Sequence, residues 1–240
     1  MGTLILLRHG RSTSNAAGTL AGRTAGVGLD PTGAAQAYAV AARLAPVPIA
    51  AVLTSPLQRC RETLAPLLAA RGLEPTVDDR FAEVDYGEWT GRTLKELGGE
   101  PLWRVVQAHP SAAVFPGGEG LAGMQARAVA AVREWDAKVV AEHGPHAVWL
   151  ACSHGDVIKA VVADALGVHL DGFQRIVVDP SSISVVTYTE TRPFVVRVND
   201  TGGDVSALVP PPPKKSRRRK KPAADALSSD APVGGSTGTA

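Results

Sequence analysis

The sequence predicts an α/β fold of three layers, in which a mostly parallel sheet carries helices on both faces. Apolar runs of strand length occur at residues 3–7, 50–54 and 147–152. Strands that are buried on both faces of a parallel sheet have this continuous apolar character. Segments with helix signals follow the runs, and such alternation is typical of a parallel sheet covered by helices.

Local signals place the remaining elements in chain order. The first helix begins at Asp30 and Pro31, because proline is favoured in the first turn, and it ends near Leu44. Three later helices are predicted at residues 56–72, 120–143 and 155–166. Residues 183–189 and 194–198 predict a late pair of strands.

Composition divides the chain near residue 202. From Gly202 onward there are seven Lys/Arg and three Asp, which leaves 18 basic and 20 acidic residues before it. Prolines at 210–213 and a basic run at 214–221 cannot bury enough apolar surface to offset their ordering entropy. We therefore predict a folded domain over 1–201 and a disordered Pro-rich, basic tail over 202–240. The slightly acidic body excludes a generally basic nucleic-acid-binding domain.

Cysteine usage and hydropathy predict a cytoplasmic protein that does not insert into membranes. The two cysteines, Cys60 and Cys152, cannot form a disulfide framework. No segment has the ~18 apolar residues that span a bilayer. The apolar run from Leu4 to Leu7 is too short for a signal peptide.

Polar residues follow each of the three apolar runs. They are Arg8-His9-Gly10, the stretch from Ser55 to Arg59, and Ser153-His154-Gly155. Ligands of open parallel sheets bind outside the carboxyl ends of the strands. We therefore expect two histidines and two arginines to converge at one edge of the sheet.

This combination of residues suits a phosphoryl group. Arginine matches phosphate oxygens with two parallel hydrogen bonds. A neutral imidazole can act as the nucleophile, and a second histidine, cationic in such company, can neutralise charge on the phosphoryl oxygens. No cluster of carboxylates suits Mg²⁺, so neither a metal nor another cofactor is expected.

Four motifs occur in order between residues 3 and 198. They are Arg8-His9-Gly10 with Ser12 and Asn15, Ser55-Pro56-Leu57-x-Arg59-x-x-x-Thr63, Glu83-x-x-Tyr86-Gly87-x-Trp89-x-Gly91, and Ser153-His154-Gly155. Together they resemble the motifs of the histidine phosphatase superfamily, in its phosphoglycerate mutase-like branch. The resemblance implies a three-layer α/β fold and a covalent phosphohistidine mechanism.

The resemblance also implies roles for five residues. His9 would be phosphorylated by the substrate. Arg8, Arg59 and His154 would hold the phosphoryl oxygens. Glu83 would protonate the leaving oxygen and later activate water. Composition alone does not separate this glutamate from the neighbouring carboxylates, and the family's spacing to the Tyr-Gly pair selects it.

Further candidates for the phosphate pocket lie in the same motifs. Asn15 would contribute to the pocket, with Ser12 and the Gly155 amide as weaker candidates. Arg11 departs from the family, which more often has Glu or Gln there. It is either an additional cation that favours acidic substrates or a solvated loop arginine.

The segment after the Glu motif bears on the choice between phosphatase and mutase. The family's phosphoglycerate mutases have a long insertion there, with basic and aromatic residues that clamp the substrate carboxylate. Here residues 94–121 contain only Lys95 and Arg104 as cations, with Arg92 just before them. A phosphatase of small phosphorylated metabolites is therefore favoured over a phosphomutase. Four apolar side chains of the segment are expected to line the pocket mouth: Trp103, Val105, Val106 and Phe115.

A third interpretation is a binding protein on an inactive phosphatase fold, whose basic tail contacts nucleic acid or an acidic partner. The run at 214–221 is its only support. The five residues implied for catalysis are all present, which argues against an inactive site.

Overall fold

A computed structural model describes residues 2–203 of the chain. Six strands form one sheet in the order β3-β2-β4-β1-β5-β6. The strands are β1 (Thr3–Arg8), β2 (Ile49–Thr54), β3 (Thr76–Val77), β4 (Val148–Ser153), β5 (Ile183–Tyr188) and β6 (Pro193–Asp200). β1 pairs in parallel with β4, and β2 pairs in parallel with both β3 and β4. β5 pairs antiparallel with β1 and with β6, so the predicted late strand pair is confirmed.

Within residues 2–203, seven α-helices connect these strands. They are α1 (Thr13–Ala17), α2 (Pro31–Leu44), α3 (Gln58–Arg71), α4 (Leu94–Leu97), α5 (Pro101–Ala108), α6 (Leu121–His143) and α7 (Gly155–Ala165). Asp30 caps α2 by accepting a hydrogen bond from the Gly33 amide, as its position predicts. The helix expected from Pro56 begins two residues later, because Leu57 is extended.

Two apolar clusters lie on opposite faces of the sheet. Leu4 and Leu6 of β1 belong to the cluster that includes α6 and α7, and Ile5 and Leu7 belong to the cluster with α2 and α3. This alternation along one strand confirms the three predicted layers. Cys60 and Cys152 are buried free thiols of the second cluster.

The region expected to line the pocket mouth lies in the core instead. Trp103, Val106 and Phe115 are buried, and Val105 is partly buried against the same cluster. The Trp89 ring contacts those of Trp103 and Phe115, with centroid separations of 6.2 and 5.2 Å. These side chains pack into the apolar core because burial of aromatic surface is strongly favourable.

Among the described residues, no helix combines the length and the apolar character needed to cross a bilayer. The predicted tail lies almost wholly outside the described residues, which end at Gly203.

Candidate active site

The parallel register of β1 and β4 brings the two histidines together. Arg8 is paired with Ser153 across the two strands, so His9 and His154 follow at the same level. Their ring centroids are 5.2 Å apart, and both side chains are buried. The expected convergence at the carboxyl ends of the strands is thus present.

Hydrogen bonds fix the tautomer of His9. Its Nδ1 lies 2.7 Å from the Gly10 carbonyl oxygen, which can only accept, so Nδ1–H is the donor. Nε2 consequently carries the lone pair and accepts from Arg59 Nε–H at 3.2 Å. Burial, followed by the charges of Arg59 and Arg8, lowers the pKa of His9 well below its ordinary value. His9 is therefore a neutral imidazole with a lone pair among cations.

Arg59 links the two histidines from the first turns of α3. Its Nη2 donates to the Gly22 carbonyl at 2.9 Å and to His154 Nδ1 at 3.1 Å. Its Nη1 is buried and has no hydrogen-bond partner among residues 2–203. A phosphoryl oxygen would satisfy this donor. Arg8 is also buried, and its Nη1 donates to the Val178 carbonyl at 2.7 Å.

His154 has the opposite tautomer. Because Arg59 can only donate, His154 Nδ1 is the acceptor, and Nε2–H donates to Ser55 Oγ at 2.7 Å. Burial, followed by the charge of Arg59, lowers the pKa of His154 well below its ordinary value. In the phosphate-free site the ring of His154 is therefore neutral, and the cationic form stays a prediction for the phosphate-bound site. A bound dianion would oppose the arginine charge and favour the protonated ring.

Glu83 lies beside His154, with Oε2 at 4.0 Å from Nδ1. Its Oε1 accepts the Val84 amide at 3.0 Å. Burial and then the negative charge of Asp156 raise the pKa of Glu83 to about 7, against the effect of Arg59. A carboxyl group of this kind can donate and accept a proton near neutral pH.

Two arginines hold the backbone of Glu83 in place. Arg23 Nε and Arg127 Nη2 donate to its carbonyl at 2.9 and 3.2 Å. Both arginines also bind the carboxylate of Glu119. Nearby, Gly87 has a φ of 51°, and a Cβ atom there would collide with the Pro116 carbonyl. The glycine of the third motif therefore permits the turn that follows Glu83.

The weaker candidates lie around α1 and α7. Ser12 caps α1, and its N–H and O–H donate to Asn15 Oδ1 at 3.0 and 2.9 Å. The Ser12 hydroxyl is thus committed to orienting Asn15. Gly155 is the first residue of α7, directly after His154. Arg11 is neither a free cation nor simply solvated, because its Nε binds the Asp30 carboxylate at 2.6 Å.

Sequence patterns did not indicate a role for several residues around the site. Asp156 is completely buried beside Tyr86 and Lys159, although it directly follows the fourth motif. Glu119 and Arg127 are distant in the sequence from Glu83, and their convergence depends on tertiary structure. Nothing in a single sequence distinguishes them from surface charges.

The chain is similar in sequence and in fold to known proteins. The family model of the histidine phosphatase superfamily (branch 1) matches residues 4–201. Phosphoserine phosphatase 1 of Hydrogenobacter thermophilus is 31% identical over 205 residues, which are 82% of this chain and 92% of that protein. A bifunctional protein of Mycobacterium tuberculosis is 33% identical over 202 residues, covering 83% of this chain but 54% of its own length. The solved structure of Bacillus stearothermophilus YhfR is 25% identical, with a TM-score of 0.76 and coverage of 83% of this chain and 98% of that one.

Proposed function

The chain belongs to the histidine phosphatase superfamily, and on that basis we propose that it hydrolyses phosphomonoesters of small metabolites through a phosphohistidine intermediate. The observation that carries the proposal is the tautomer of His9, whose unprotonated Nε2 lies among arginine donors. Similarity to a phosphoserine phosphatase supports the same class of reaction.

In the first step, His9 Nε2 attacks phosphorus, and the bond to the leaving oxygen breaks. Arg59 Nη1 and Arg8 neutralise the phosphoryl oxygens, and His154 joins them when it takes up a proton. The protonated Glu83 carboxyl gives its proton to the leaving alcohol. In the second step, the same group, now ionised, removes a proton from water, which attacks phosphorus and releases His9.

Hydrolysis is favoured over phosphoryl transfer to a second hydroxyl because the segment after Glu83 offers few cations for a substrate carboxylate. Arg92 is in an ion pair with Glu100 at 2.6 Å. Lys95 and Arg104 are exposed. Binding of nucleic acid by the run at 214–221 stays a weaker alternative, because charged tails are commonly only solvated.

Covalent trapping tests the proposal. Enzyme that is denatured at alkaline pH during turnover of a ³²P-labelled monoester should retain the label on His9, since phosphohistidine is stable to base and labile to acid. His9→Ala should abolish labelling, and His154→Ala should slow it. His143→Ala, which changes a histidine at the far end of α6, is the matched control and should label normally. Label on a serine or an aspartate would contradict the mechanism.

A further inference from the structure

A buried group of charged and polar side chains lies next to Glu83 and has no part in the mechanism described so far. Asp156, in the first turn of α7, is completely buried. Tyr86 Oη donates to its Oδ2 at 2.9 Å, and Lys159 Nζ lies 3.4 Å from its Oδ1. Lys159, also buried, donates to Gln174 Oε1 at 3.0 Å. A buried carboxylate is costly without such partners, so the group is built to hold one.

Two connections along the chain bring the Asp156 carboxylate near Glu83. Asp156 is two residues after His154, whose Nδ1 is 4.0 Å from Glu83 Oε2. Tyr86, three residues after Glu83, reaches across to Asp156 with its hydroxyl. The segments at 83–86 and 154–156 therefore run together, and two carboxyl groups share one buried environment. Like charges in such an environment oppose each other's ionisation.

We propose that Asp156 is a positioning residue for the reaction, whose buried carboxylate keeps the acid proton on Glu83 until a substrate arrives. The proposal rests on the proposed function, because it assigns the source of the proton that the leaving alcohol takes. Asp156 acts through Glu83 and need not touch the phosphoryl group.

Opposing charges surround Glu83 on the elements packed against it. After burial, Asp156 is the strongest factor that raises the pKa of Glu83, while Arg59 and Arg8 lower it. His154 is neutral in the phosphate-free site. The groups that face Glu83 come from several elements. Its side chain is faced by Arg8 of β1, Arg59 of α3, His154 just before α7, Asp156 and Lys159 within α7, and Tyr86 on its own segment. Its backbone carbonyl is surrounded by Arg23, Arg127 and Glu119. Without Asp156, only burial would oppose Arg59 and Arg8, and a larger share of Glu83 would be ionised and unable to protonate an alkoxide.

Direct titration of Glu83 tests the proposal without reference to activity. In the full chain labelled with ¹³C at glutamate side-chain carboxyls, the Glu83 signal is the one lost in Glu83→Gln. Asp156→Asn keeps an acceptor for Tyr86 but removes the charge, and it should lower the titration midpoint by about one unit or more. Tyr86→Phe is the matched control, because it removes the hydrogen bond and keeps the charge, so the midpoint should stay near the wild-type value. A midpoint that is unmoved in Asp156→Asn, or that falls equally in Tyr86→Phe, overturns the proposal.

If Asp156→Asn does not fold, a second variant that should shift the Glu83 midpoint in the opposite direction tests the proposal. Lys159→Met removes the cation beside Asp156 at similar volume, and it should raise the midpoint. A midpoint that falls or does not change in this variant overturns the proposal.

Kinetics separate this inference from the proposed function. With a one-unit shift, single-turnover phosphorylation by an alkyl phosphate should fall about fivefold at pH 7 in Asp156→Asn, whereas a nitrophenyl ester should be affected much less. Wild-type protein that forms no phosphohistidine refutes the proposed function, while the titration still decides the role of Asp156. If the wild type forms phosphohistidine but the Glu83 midpoint is unchanged in Asp156→Asn, the inference is refuted and the proposed function stands.

Discussion

In the proposed mechanism the proton on Glu83 controls the first chemical step, and its removal has a consequence that depends on the leaving group. Glu83→Gln keeps the size of the side chain and an acceptor for the Val84 amide, but it has no proton to transfer. An alkyl phosphate needs that proton because an alkoxide is a poor leaving group. General acid assistance is typically worth ~10²–10⁴ in rate, so phosphorylation by an alkyl ester should fall by this factor. Phosphorylation by p-nitrophenyl phosphate should fall much less.

The pKa of Glu83 sets the pH range of this step. With a pKa of about 7, roughly half of the free enzyme carries the proton at pH 7 and about a tenth at pH 8. The kcat/KM of the wild type for alkyl esters should therefore fall about tenfold per unit at higher pH. The pKa of His9 is well below its ordinary value, so loss of the nucleophile by protonation belongs to a more acidic range.

Rapid-quench single-turnover measurements are the appropriate assay, because the same carboxylate also activates water and steady-state rates would fall for both esters. Asp85→Asn is the matched control. Asp85 lies two residues from Glu83 and accepts the Gly87 amide at 3.1 Å. Equal losses of burst rate for both esters in Glu83→Gln, or leaving-group dependence in Asp85→Asn instead, would refute the assignment of the acid.

Three further outcomes are expected. Folding raises the pKa of Glu83 from 4.5 to about 7, so the folded state binds this proton more tightly than the unfolded state. The free energy of unfolding should therefore fall as the pH rises between these values, in total by on the order of 3 kcal/mol. Urea titrations in phosphate-free buffer should show that Glu83→Gln lacks this loss and is more stable at pH 8 than the wild type; an equal pH dependence in both proteins would contradict this. Turnover should be unchanged in EDTA, since residues 2–203 contain no group of three or more His, Cys, Asp or Glu that could hold a metal ion, and activity that returns only with a divalent cation would show a metal requirement. Removal of residues 203–240 should leave turnover intact because every proposed site residue precedes this segment, and slow turnover by a folded truncated protein would mean that the tail contacts the pocket.

Within residues 2–203, local signals predicted five of the six strands and the four longest helices, α2, α3, α6 and α7, but not the two-residue strand β3 or the short helices α1, α4 and α5. Asp30 and Gly72, for example, end up as the caps at which α2 begins and α3 ends. The features of the site that sequence patterns missed depend on contacts between residues distant in the sequence. His154 is neutral because it is buried beside two arginines. Trp103 is buried because it stacks on Trp89. Asp156 carries no signal of its own, since a short polar residue at a helix start is ordinarily solvent-exposed.

The register of β1 and β4 has a consequence for how proteins of this design can change. Neighbouring strands are about 4.8 Å apart, and the ring separation of 5.2 Å between His9 and His154 is close to this spacing. The backbone ladder continues to His9, whose amide donates to the Ser153 carbonyl at 3.0 Å, so the separation of the two histidines depends mainly on the backbone. Segments beyond the strand ends can be exchanged without changing that separation if they keep the Gly22 carbonyl that accepts from Arg59 and the Arg23 and Glu119 side chains beside Glu83. A protein engineer could therefore exchange such segments to alter which phosphate ester is accepted while the two histidines keep their separation.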